Sequence, residues 1–128
     1  MNKKLIVAAL LSGALPMAGA GAAGCGKPRN AFDQVYCTST EFSQADRDLN
    51  TQYGALRKLL NASQQESLKK AQLAWIRQRD EECSLEKPNG YYVNLTCAME
   101  HTQQRLAALK ERERECSSTG CNNTRLGQ

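Results

Sequence analysis

The chain has 128 residues, six cysteines and a formal net charge of +4. That length suits one small domain with a modest core. Lys3 and Lys4 contribute to the charge; without them 15 basic residues stand against 13 acidic ones, a net of +2 too weak and too evenly mixed to indicate nucleic acid.

Residues 1–4 are a short basic start, 5–16 are mostly apolar, and 18–24 are all small. This is the order of a secretory signal peptide, and the apolar run is too short to span a bilayer as a helix. Residues 1–23 are therefore expected to be a leader, cleaved after Ala20 or Ala23. The competing expectation is lipid anchoring at Cys25. "AAGC" has the small residues for it but lacks the usual Leu or Val three before the cysteine, and it would leave an odd number of thiols. The expected location is outside the cytoplasm, foremost the periplasm, with no transmembrane segment in residues 24–128. In such a compartment six cysteines imply three disulfides.

Residues 25–40 are a loop-rich lead-in with at most a helical turn through "NAFDQVYC". From Glu41, Phe42, Ala45, Leu49, Tyr53, Leu56 and Leu60 recur at helical spacing and form one apolar stripe. "NAS" at 61–63 breaks the pattern, with Ser63 as a cap and Glu66 three residues on. A second helix is expected over 64–83, with Leu68, Gln72, Trp75, Ile76, Arg79 and Cys83 on one face. "EKPNG" at 86–90 has loop composition. A third helix is expected over 93–115, with Leu95, Met99, Thr102, Leu106 and Leu109 inward. Its last turns, "KEREREC", alternate sign as a solvated surface does. "CSSTGC" closes it, and 122–128 is expected to be a flexible tail. No strand pattern competes. The expected fold is all-α, a small antiparallel three-helix bundle stapled by disulfides, occupying residues 24–121.

Arg79 lies one turn beyond Trp75, near the apolar stripe, and a shielded charge requires a partner. An antiparallel hairpin of the first two helices brings Asp46 to it, so an Asp46–Arg79 bridge is expected, with Arg105 of the third helix as a further member. Cys116 and Cys121 read as a local pair. Cys25, Cys37, Cys83 and Cys97 allow three connectivities, of which Cys37–Cys83 with Cys25–Cys97 is favoured because Cys37, Cys83 and Cys97 meet at one bundle end.

Enzymatic signals are poor. His101 is the only histidine and reads as a surface residue. Asp46, Asp80, Glu81 and Glu82 supply carboxylates for glycoside chemistry, but charged helix faces are common without it. The spacing of "CSSTGC" lies within a zinc-ligand range, but exported thiols favour disulfides. No cofactor, metal or catalytic residue is expected. "NAS", "NLT" and "NNT" match the N-glycosylation pattern by chance. The surface most suited to a partner joins Glu81 and Glu82 to Tyr91 and Tyr92 of the "KPNGYYVN" loop, since tyrosine is enriched at interfaces.

"CTSTEFSQADRDLNTQYGALRKLL", "LKKAQLAWIRQRDEEC" and "CAMEHTQQRLAAL" together resemble the lysozyme inhibitor LprI-like N-terminal domain family of small exported bacterial proteins. The residues that carry the resemblance are Cys37, Asp46, Leu49, Asn50, Tyr53, Leu68, Gln72, Trp75, Arg79, Asp80, Cys83, Cys97 and Arg105, within about residues 25–110. The resemblance implies a helical, disulfide-stapled binding module and, from the family's named member, inhibition of lysozyme or another cell-wall hydrolase. The alternative is an envelope-maintenance or interaction protein with a different partner. Most of these motif residues fall on inward faces, so they speak for the fold and nominate no inhibitory side chain. C-type lysozymes are strongly basic, and a slightly basic mature chain offers them only a local acidic patch at Glu81, Glu82 and Glu86.

Overall fold

The computed structural model describes residues 25–128. The expected leader, residues 1–23, lies outside the described residues. Four helices and one β-hairpin follow in the order α1 (Ala31–Lys58), α2 (Ala62–Cys83), β1 (Ser84–Lys87), β2 (Gly90–Val93), α3 (Leu95–Ser118) and α4 (Asn123–Leu126). The protein is mostly helical and carries three disulfides. The three-helix expectation is corrected by the hairpin between α2 and α3 and by the short fourth helix.

Each helix starts at an asparagine. Asn30, Asn61, Asn94 and Asn122 are the N-caps, and each side chain accepts a hydrogen bond from the backbone N–H three residues on. This satisfies a donor that the helix itself leaves free. Asn61 and Gln64 cap one another reciprocally, so the cap of α2 is Asn61 rather than Ser63. The three Asn-x-Ser/Thr triplets thus have a structural use: Asn61, Asn94 and Asn122 each begin a helix. Likewise Asn30, with Asp33 in the first turn, starts α1 at Ala31, so 31–40 is helix rather than loop. The apolar stripe hides this start, because Phe32, Val35 and Tyr36 are exposed there.

α1 and α3 pack along most of their length and run the same way. The start of α1 at Gln34, Val35 and Thr38 adjoins the start of α3 at Leu95 and Thr96, while Gln52 of α1 donates to Glu113 far along α3. α2 returns between them in sequence and packs against α3 and α4. Small buried residues, Thr38, Ala45, Ala98 and Thr102, permit the close approach of α1 to α3. Thr102 keeps its hydroxyl satisfied by donating to the Ala98 carbonyl at 2.7 Å.

The large apolar side chains collect at the other end. Leu49, Leu56, Leu60, Leu68, Leu109 and Leu126 form the core, with Tyr53, Trp75, Leu106, Cys116 and Cys121 packed on it. Leu126 corrects the expectation of a flexible tail over 122–128. It is 1% exposed, because the Cys116–Cys121 bridge and Gly120, with φ +99°, turn the chain back and lay α4 against α2.

The end where large apolar residues are few is stapled instead. Cys25 pairs with Cys37 and Cys83 with Cys97, which corrects the favoured Cys37–Cys83 and Cys25–Cys97 arrangement. The early start of α1 puts Cys37 inside a helix. The lead-in folds back over it, and the Cys25 amide donates to the Glu41 carboxylate at 2.9 Å. The hairpin goes out and back between Cys83 and Cys97, which returns their Cα atoms to 5.5 Å.

Candidate functional site

Ser84 follows directly on α2, so the chain leaves the bundle as a strand with no intervening loop. Leu85, Tyr91, Tyr92 and Val93 have the β-branched or aromatic character that suits a pleated strand. β1 and β2 pair antiparallel, Ser84 opposite Val93, Leu85 opposite Tyr92, Glu86 opposite Tyr91 and Lys87 opposite Gly90. Pro88 and Asn89 make the turn, and Gly90 adopts φ +146°, a backbone conformation that disfavours any other residue. The hairpin is closed at its base by the Asn94 amide donating to the Cys83 carbonyl at 2.8 Å, and by the Cys83–Cys97 disulfide.

Apart from the half-buried Gly90, every strand residue of this hairpin is exposed. Successive residues alternate faces, so Tyr91, Val93 and Glu86 share one face and Tyr92 and Leu85 the other. Tyr91 is 82% exposed. Tyr92 is half covered, with the Lys87 ammonium 5.4 Å from its ring centroid. The expected "KPNGYYVN" loop is therefore a strand-forming hairpin tip that displays one tyrosine fully and tucks the other under a lysine. The signal that reveals it is two short β-prone runs around Pro-Asn-Gly.

The acids expected beside this surface are separated in role. Glu82, at the base of the hairpin, accepts from Gln78 at 2.8 Å and lies 3.2 Å from His101 Nε2. Glu81 is exposed on α2. Cys83, Cys97 and His101 lie close enough together to suggest metal ligands, but both thiols are consumed in the disulfide.

Arg79 is positioned by aromatic side chains as much as by acids. Its guanidinium carbon lies 5.0 Å from the Trp75 ring centroid and 5.6 Å from that of Phe42. Nε and Nη2 both donate to Asp80 Oδ1, at 3.0 and 2.9 Å, and Nη1 is 3.8 Å from Asp46 Oδ1. Asp46 also accepts from Asn50 at 3.3 Å. Asp46 and Asp80 thus serve as counter-ions to one shielded guanidinium. Arg105 is not a member of this group, which corrects the three-residue network. It lies on the far side in sequence, 6.0 Å from the Trp75 centroid, and donates from Nε to Gln72 Oε1 at 2.9 Å and from Nη1 to the Gln128 carbonyl at 2.7 Å. Arg79→Ala is expected to cost about 1–3 kcal/mol, since it removes the two cation–π contacts and the packing of a shielded side chain. Arg79→Lys should recover only part of that, because an ammonium cannot form the fork. An unchanged thermal midpoint for Arg79→Ala would contradict this arrangement.

Asp46, Asn50, Arg79 and Asp80 therefore form one polar cluster between α1 and α2, Leu68 and Gln72 are buried, Tyr53 and Trp75 pack on the core, and Cys83 and Cys97 pin the hairpin. The sequence model described as "Lysozyme inhibitor LprI" matches residues 25–109, about two thirds of the chain. The chain belongs to the lysozyme inhibitor LprI family. No curated protein and no solved structure gives a match. The LprI match takes in α1, α2, the hairpin and most of α3. It stops at Leu109, so the Cys116–Cys121 bridge and α4 lie beyond it. No helix among the described residues is long and apolar enough to cross a membrane. LprI membership and three disulfides accord with a location outside the cytoplasm.

Proposed function

We propose that the chain is an exported, non-catalytic inhibitor module that presents its β-hairpin to lysozyme or another cell-wall hydrolase and blocks the substrate cleft. The observation that carries the reading is the hairpin itself. It is narrow and exposed along its length, fixed at its base by a disulfide, and tipped by Tyr91. A pinned element loses little conformational freedom on docking, which favours affinity, and an exposed tyrosine is a strong contact residue. Glu81, Glu82 and Glu86 cluster in sequence around the hairpin. They supply local negative charge toward a basic enzyme although the chain as a whole is not acidic. The leader-like order of residues 1–23 supports export to the periplasm, where such hydrolases act.

Titration of the oxidised protein into a c-type lysozyme assay on cell-wall substrate, at low and physiological salt, tests the reading. Saturable inhibition that survives physiological salt is the expected result. Tyr91→Ala is expected to weaken it by about tenfold or more with an unchanged thermal midpoint, whereas Tyr36→Ala, on the exposed start of α1, should leave it intact. No inhibition at large molar excess rejects this lysozyme class. The second reading, an interaction protein with another envelope partner, is favoured by the separate exposed apolar group Phe32, Val35 and Tyr36.

A further inference from the structure

Folding α4 back against α2 leaves a partly open cavity of about 180 Å³, lined by Leu68, Leu109 and Leu126 on its apolar side and by Arg105, Arg112 and Arg125 on the other. That is several times the ~30 Å³ a water molecule takes in the liquid. Arg105 is 8% exposed, and its Nη2 is buried with no hydrogen-bond partner. Arg112 Nη1 is likewise buried and unbonded, although 3.5 Å from Glu115 Oε1. Arg125 also meets Glu115 Oε1, so this one carboxylate faces two guanidiniums. The other hydrogen bonds of Arg105 and Arg112 go to Gln72 Oε1, to a main-chain oxygen of the last residue, Gln128, and to the Arg125 carbonyl. Burial pushes the Arg105 guanidinium below its usual range, and neighbouring Arg112 adds to this. Burial does the same to Arg112, reinforced by Arg125 and opposed by Glu111. Glu115 Oε2 is buried and unbonded as well, so two guanidinium N–H groups and one carboxylate oxygen stand without partners beside a partly open space, where that is costly.

We propose that this cavity binds a small oxyanion of the phosphate or sulfate class, held by the free N–H groups of Arg105 and Arg112 with Arg125 at its edge. Guanidinium forks match the oxygen geometry of such anions. The site straddles the edge of the family-matched region: Arg105, Leu68 and Leu109 lie within it, while Arg112, Arg125 and Leu126 follow Leu109. Its occupant locks the C-terminal segment onto the bundle.

The test is calorimetric and thermal titration of the purified, oxidised protein with inorganic phosphate and with sulfate, against chloride at matched ionic strength. Saturable heat and a midpoint raised by about 4 °C or more at saturation are expected for the oxyanions alone. Arg125→Gln and Arg112→Gln should each weaken binding about tenfold, while Lys110→Gln, on the exposed face of α3, leaves it unchanged. Glu115→Gln should tighten binding, because it removes the competing carboxylate, and this arm stays decisive if an arginine variant fails to fold. Equal midpoints in all three salts with no heat would overturn the proposal. So would full affinity in Arg125→Gln and Arg112→Gln, or weaker binding in Glu115→Gln.

Discussion

Leu126→Ala is expected to destabilise the protein by about 3 kcal/mol, in the range found for truncating a buried leucine. The thermal midpoint should fall by about 10 °C or more for a domain of this size. The side chain is 1% exposed and packs in the same cluster as Leu56, Leu68 and Leu109, so its loss leaves a cavity among residues from α1, α2 and α3. The measurement separates two readings of 122–128. A tail that hangs free contributes nothing, and its truncation would leave the midpoint where it was. A docked tail contributes core. Deleting residues 122–128 should then match or exceed the effect of Leu126→Ala, because it also removes the main-chain oxygens of Gln128 and Arg125 to which Arg105 and Arg112 donate. If the midpoint did not move, the packing of α4 described above would be wrong.

Replacing both Cys83 and Cys97 by serine is expected to cost about 3 kcal/mol, from the entropy of a closed loop of this length; the two are separated by 14 residues. The effect on function should exceed the effect on folding. The hairpin has no apolar core beneath it and depends on the disulfide and the Asn94–Cys83 backbone bond for its direction. Without the covalent pin it should open locally at much lower free energy than the bundle. Amide exchange over 84–93 is expected to accelerate strongly while the centre of α3 stays protected. Inhibition should be lost at temperatures where the variant remains folded. The Cys25→Ser/Cys37→Ser variant is the control: it frees the lead-in, leaves the hairpin base intact and should retain inhibition. If both variants inhibit equally well, the hairpin is not the contact surface.

Much of the bundle was legible along the chain. The stripes from Ala45 to Leu56, from Leu68 to Cys83 and from Leu95 to Leu109 fall on the inner faces of α1, α2 and α3, because helical periodicity is a local property and burial follows it. The approach of Arg79 to Asp46 was also legible, since a short connection between two long helices brings those turns together. The start of α1 was missed for a local reason as well: Asn30 caps it, but its apolar residues face outward, against the rule that stripes are buried.

The sequence by itself determined that this protein is a set of helices with charge-bearing inner faces, six cysteines and the residue pattern of its family, because each of these is written in spacing and composition. Only the tertiary structure decided which cysteines pair, that the "KPNGYYVN" segment stands out as a hairpin, that Leu126 is core, and that Arg105 turns from Asp46 toward Gln72 and Gln128. These depend on where segments distant along the chain meet. The direction of a side chain at such a meeting is set by the packing of all its neighbours together, and no local pattern carries that information.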